Sequence, residues 1–309
     1  MLVLVALVLI FTTIAWFSMN RTVSTSGMSV STATLPFELA SSGSAPQEYL
    51  RLFGLSDSEY GEGTQVNNTN EYRTGVEDKL IWRLESDNSD SYEVGFQPGD
   101  GGVLSFDIIP KTESEINVKC IFNVRAFVGH DKPNGTKDDP SPYTITEITT
   151  ENGEAAEKEA LKYINGHIVF FGTWDPTTKI YSDYIGTDGF TVKVPANAER
   201  KTVIVYWKWV NTIDQIILKT TDSPNDTPLV ADDNNDDRNE LIKYVKNNSN
   251  SLFSGLSTEN QTLVSGLTYE NAEANTSLMS ALNEGYNAAD QKIGINLNYF
   301  LLELTATVD

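Results

Sequence analysis

Histidine, cysteine and paired acids build most catalytic and metal sites, and this chain is poor in the first two. It holds two histidines, His130 and His167, and one cysteine, Cys120. A zinc-peptidase helix needs H-E-x-x-H, two imidazoles one turn apart with a glutamate base; the chain has no such motif. It has no G-x-S-x-G nucleophile elbow either. One segment has the spacing of an oxygen-donor site. In "ADDNNDDRNE", residues 231–240, Asp232, Asn234 and Asp236 stand at positions 1, 3 and 5 of a Ca²⁺ loop. Position 6 should be Gly and position 12 Glu, but Asp237 and Lys243 stand there. The segment reads first as a solvated linker that caps the next helix, and only weakly as a Ca²⁺ site. "DKPNGTKDDP" (131–140) reads as a turn before a cation site. No cofactor and no enzymatic activity are expected.

Two further groups have a core reading and a chemical one. Trp207 and Trp209 follow Val203 and Val205 on one strand face. An exposed aromatic row stacks on sugar rings, but this pattern favours the core. Cys120 shares a face with Ile116, Val118, Phe122 and Val124, which makes it a buried, inert thiol.

The elements that hold these residues are mostly strands. Alternation marks "KLIWRLE", "VLSFDIIP", residues 116–128, "PYTITEIT", "FTVKV" and "KTVIVYWKWV". "HIVFFGTW" is apolar on both faces, and "IGINLNYFLLELTATV" reads as a long terminal strand. "QPGDGG" (97–102) is a turn. Helices are expected around 151–166, 211–219, 238–247 and 276–291, the first stopping at Asn165-Gly166 and the second carrying Thr212 and Gln215 at capping-box spacing. Gly285 interrupts the last. Residues 80–128 show no helix between strands, which argues against a parallel α/β fold. The expectation is a mainly β chain: an antiparallel β-sandwich of jelly-roll type with helical insertions in the connections.

The totals narrow the partners. A net charge of −21 and a pI near 4.4 exclude nucleic acid and anionic lipid as natural partners. A single cysteine forbids an internal disulfide. The apolar run 1–17 carries no charge and is shorter than the roughly 20 residues of a spanning helix. Residues 1–15 read as an export signal ending at Ala15, and 16–309 as a single sandwich domain; a retained N-terminal anchor, the only route to a membrane, is the alternative.

The stretch "AWFSMNRTVSTSGMSV", with Ala15, Trp16, Phe17, Ser18 and Gly27, resembles the N-terminus of the TasA/camelysin-type exported matrix proteins of Gram-positive bacteria. The resemblance covers about 20 residues. It implies cleavage by a dedicated signal peptidase after Ala15, leaving Trp16 as the mature N-terminus. "KYINGHIVFF", "YWKWVNTIDQIIL" and "ADQKIGINLNYFLLELTATV" look similar to uncharacterised exported proteins of gut Clostridia. A protease activity has been attributed within the camelysin group, and the histidines here do not fit one. The expected function is a secreted or cell-surface structural protein. It would be a fibre subunit that pairs with itself or with other matrix proteins by donating an N-terminal strand. Trp16, Phe17, Val23, Met28 and Val30 would carry that strand; the competing reading makes it the first strand of its own sandwich. The alternative function is a tethered adhesin or a glycan- or protein-binding surface module.

Overall fold

The computed structural model describes residues 35–41, 64–65, 72–73, 78–84, 96–131, 143–218 and 228–309. The expected signal and the assembly residues Trp16, Phe17, Val23, Met28 and Val30 lie outside the described residues, as does most of the weakly alternating stretch 28–35.

The described chain is mainly β, in two antiparallel sheets. The first has the order β1 (Phe37–Ala40), β5 (Gly101–Pro110), β11 (Lys201–Trp209), β8 (Ile168–Asp175), β9 (Ile180–Ile185). The second runs β10 (Phe190–Val194), β6 (Ile116–Asp131), β12 (Tyr299–Val308), β4 (Lys79–Arg83), with β7 (Tyr143–Ile148) also on β6. A two-residue ribbon pairs β2 (Thr64–Gln65) with β3 (Tyr72–Arg73). Period-2 alternation turns Leu104, Phe106 and Ile108 of β5 and Val205, Trp207 and Trp209 of β11 to one buried side. Aromatic contacts join this side to the second sheet: Trp82 meets Phe106 at 6.2 Å, and Trp209 meets Phe300 at 6.2 Å. Trp207 and Trp209 are 4% and 2% exposed, so the core reading of the pair holds. The odd face of β6 and β12 carries buried Phe127 and Leu301 and, beside them, a polar cluster. Arg125 holds Glu147 with two bonds, at 2.7 and 2.5 Å, and Glu303 at 3.1 Å.

β8 differs. Ile168 and Phe170 lie on the side shared with Trp207 and Trp209, whereas Val169 and Phe171 face the opposite way. The second face is covered by helices from the β11–β12 connection: α2 (Asp214–Ile217), α3 (Asn235–Asn247), α4 (Ser249–Leu252), α5 (Thr258–Ser265), α6 (Tyr269–Ala274) and α7 (Thr276–Asn296). α1 (Ala155–His167) precedes β8. Its end lies so close to α4 that a Cβ on Gly166 would sit 2.2 Å from the Ser251 carbonyl oxygen. Only glycine fits.

Several boundaries differ from the expectation. α1 runs through Asn165-Gly166 to His167, because Asn165 spends its amide on a neighbouring strand and does not terminate the helix. The terminal strand starts at Tyr299; Ile293–Asn296 still belong to α7, where Ile293 is buried. α7 also runs through Gly285, which is buried and whose carbonyl accepts from Ser254 N–H at 2.9 Å. The Thr212–Gln215 capping box does not form: Gln215 Oε1 accepts from Asn211 N–H at 2.9 Å, and among the described residues the buried Thr212 Oγ1 has no hydrogen-bond partner. α4, α5 and α6 were not legible, being short and weakly amphipathic.

Cys120 is fully buried, and burial pushes its thiol up to about 12. The native chain is therefore expected to be inert to an aromatic disulfide reagent at about pH 8 and to react with one equivalent once unfolded in urea. Rapid labelling of the native chain would contradict this burial.

Candidate functional site

The acidic segment is built into the fold. Asn234 caps α3, its Oδ1 accepting from Asp237 N–H at 3.2 Å. The Asp237 carboxylate reaches across to β9 and accepts from the N–H groups of Asp183 and Tyr184, both at 2.8 Å. Asp183 has φ of +60°, and this break in the alternation puts both Tyr181 and Tyr184 against Phe171. Asp232 turns the other way, to the buried Arg238, whose Nη1 donates to Asp232 Oδ1 at 2.7 Å. The Arg238 guanidinium lies 3.9 Å from the centre of the Tyr269 ring. Burial raises the Tyr269 hydroxyl to about 12. Thus of the three Ca²⁺ candidates, Asp232 serves an ion pair, Asn234 a cap, and Asp236 is exposed. Among the described residues no group of three or more His, Cys, Asp or Glu converges as a metal site. Asp237 is the residue that matters here. Besides standing where a Ca²⁺ loop has glycine, Asp237 opens "DRNELIKYVKN" as an acid at a helix N-terminus, which the sequence shows; its reach to β9 leaves no sequence signal.

His167 is fully buried as the last residue of α1, not the first of a strand. Its Nδ1 lies 2.7 Å from Asp290 Oδ1 and its Nε2 lies 3.0 Å from the Leu252 carbonyl. Both ring nitrogens face oxygen atoms. The ring stacks on Tyr286 at 3.9 Å, and Trp209 Nε1 donates to the same Asp290 oxygen at 3.0 Å. This cluster ties α1, α4, α7 and β11 together, with the imidazole fully buried and Asp290 only slightly exposed. His130 lies in β6, one residue from its end.

The concave site lies elsewhere, where the edge of β6 is interrupted. β10 pairs with Ile116–Cys120 and β7 with Ala126–Asp131, which among the described residues leaves Ile121–Arg125 without a strand on that side. A cleft of about 450 Å³ opens there. Phe122, Phe170, Ile168 and Ile185 line it, with Asn123, Asn165, Thr187, Asn248 and Ser251 as polar lining. Phe122 stacks on Phe170 at 4.7 Å and 12°, and lies 6.2 Å from Phe190. The turn 186–189 closes one flank. Gly189 holds φ of +81° there, and a Cβ would meet the Cys120 carbonyl at 2.2 Å. Asn165 closes the other flank by acting as a strand residue: its Oδ1 accepts from Val124 N–H and its Nδ2 donates to Val124 O, both at 3.0 Å. No sequence motif marked this cleft, because the gap comes from two strands reaching β6 from distant parts of the chain.

The chain matches no family model, no curated protein and no solved structure. Among the described residues no helix is long and apolar enough to cross a membrane.

Two outcomes follow from this geometry. Asp237→Ala is expected to cost about 2 kcal/mol in urea unfolding, since two backbone N–H groups lose a charged acceptor, while millimolar Ca²⁺ leaves the wild-type thermal midpoint within about 1 °C. His167→Phe keeps the stacking but leaves Asp290 Oδ1 with Trp209 Nε1 as its remaining partner in the cluster, and should cost about 3 kcal/mol. A stabilisation by Ca²⁺ of more than a few degrees would restore the cation reading.

Proposed function

We propose that the chain is a non-enzymatic structural protein of the cell exterior, a fibre subunit or its relative that assembles by strand exchange. In this reading the two sheets are those of a jelly roll with helices in its connections. Residues 1–15 are removed by a signal peptidase, and 16–35 supply the donated strand to a second copy or another matrix protein. The resemblance of residues 15–27 to TasA/camelysin-type proteins supports the address. The acidity of the chain supports an extracellular partner over nucleic acid.

The observation that carries the assembly is a half-covered edge. β1 pairs only with Asp107–Pro110 of the ten-residue β5. Trp209 N–H donates to Asp100 O at 2.8 Å, so the even-numbered residues of β5 serve β11 and the odd-numbered ones face the edge. Among the described residues only Ser41 reaches this stretch, its hydroxyl donating to Ser105 O at 2.6 Å. Gly101 and Val103 thus turn their N–H and C=O outward, and the Val103 side chain is 58% exposed. An exposed edge of this kind accepts a further strand. The alternative, a tethered adhesin or glycan-binding module, draws on the side cleft instead.

The test is to produce the chain in a Gram-positive host, weigh it intact and image it by negative stain. Filaments from chains that start at Trp16 are expected. Val103→Pro removes an edge N–H and spares the ladder to β11, so it should leave monomers whose thermal midpoint falls by no more than about 4 °C. Filaments that persist in the variant, or monomers with a free Trp16, would overturn this reading.

A further inference from the structure

We propose that the side cleft at β6 is a binding site for a neutral sugar that bears an acetamido group. The proposal gives a substrate class to the alternative, surface-module reading and does not require the chain to polymerise.

The argument begins with backbone groups. Asp309 N–H donates to Asn117 O at 3.0 Å, which sets the odd-numbered residues of β6 to hydrogen-bond β12. The even-numbered residues therefore face the opposite edge. Cys120 meets β10, Ala126 meets β7, and Val124 meets the carboxamide of Asn165. Phe122 is left. Its N–H and C=O point into the cleft, and no described residue hydrogen-bonds to them. One step along the strand, Asn165 shows what such a pair takes: a single amide that donates and accepts at once.

Size and charge then select among amides. A donated strand would have to run past Val124, where Asn165 already sits, and past Cys120, where β10 begins. The gap admits one amide, not a ladder. No Asp, Glu, Lys or Arg lines the cleft, although the chain carries 65 such residues, 22 basic and 43 acidic. The ligand is accordingly uncharged. Beside the open amide site lies the Phe122–Phe170–Phe190 group, an apolar surface for the C–H side of a pyranose ring. Asn123 and Thr187 are exposed on the rim, within reach of ring hydroxyls. The volume falls within the roughly 300–1,000 Å³ of small-molecule sites.

The experiment uses the full-length chain with ¹⁵N-labelled phenylalanine, titrated with N-acetylglucosamine, with its β-1,4-linked dimer and with glucose. The Phe122 amide resonance, assigned through Phe122→Leu, is expected to shift and to saturate with Kd of about 1 mM or tighter. Glucose, which lacks the acetamido group, should bind at least about tenfold more weakly, because the open amide pair then stays unmet. Phe122→Leu should weaken the dimer by a similar factor in calorimetry; if that variant does not fold, Phe122→Tyr supplies the assignment and the wild-type amide shift decides. No shift up to about 50 mM sugar, or equal binding of glucose, overturns the proposal. A Phe122 shift caused by a peptide of residues 16–35, with none from the sugars, also overturns it and assigns the cleft to a chain segment.

Discussion

A strand that is apolar on both faces must be covered twice, and β8 imposes that constraint on the molecule. Ile168 and Phe170 are met by the facing sheet, but Val169 and Phe171 point away from it. Left in water, that second face would forfeit about 1.5–3 kcal/mol for each large side chain. The helical layer meets this need, and its placement is set by polar contacts at its rim. Asp237 clasps β9, Tyr244 donates to the Gly166 carbonyl, and the Tyr286 hydroxyl reaches Val210 O at 3.0 Å. Each is a side chain satisfying backbone that a sheet or helix end leaves open.

The same principle explains both proposed surfaces. Where a strand ends before its neighbour does, the neighbour's backbone groups need another partner. Among the described residues, the shortfall at β6 is filled at Val124 by a side-chain amide and left unfilled at Phe122, and that at β5 is filled at Ser105 by the Ser41 hydroxyl and left open at Val103. One site is enclosed, uncharged and aromatic; the other is flat and exposed. The surroundings differ enough to separate a small ligand from a strand.

Strong periodicity was readable in the sequence. Trp207 and Trp209 follow a valine pair, Leu104, Phe106 and Ile108 alternate cleanly, and Pro110 ends β5 as proline should. The helices with marked amphipathic faces were legible as well. What could not be read depended on tertiary partners. His167 looked like a strand opener because "HIVFF" is apolar, yet its imidazole is held by Asp290, 123 positions away. Thr212 and Gln215 have capping spacing, but Gln215 is claimed by Asn211. Asn165 followed by Gly166 looks like a helix stop, and the amide instead mends a strand. The cleft left no trace at all, since nothing local records that two strands fail to meet.

The placement of β12 has a further consequence, for the order in which the molecule is completed. The last strand in sequence lies inside its sheet, with β6 on one side and β4 on the other, so Leu301 pairs with both Arg125 and Arg83. Until Tyr299–Val308 has been made, β4 has no place to dock and the second sheet cannot close. A nascent chain of this topology keeps β4 and β6 apart until β12 has been made. Its slowest contacts are those of greatest sequence separation. Such a chain is threadable for longer than one whose early strands lock together, and its second sheet commits only once β12 is in place.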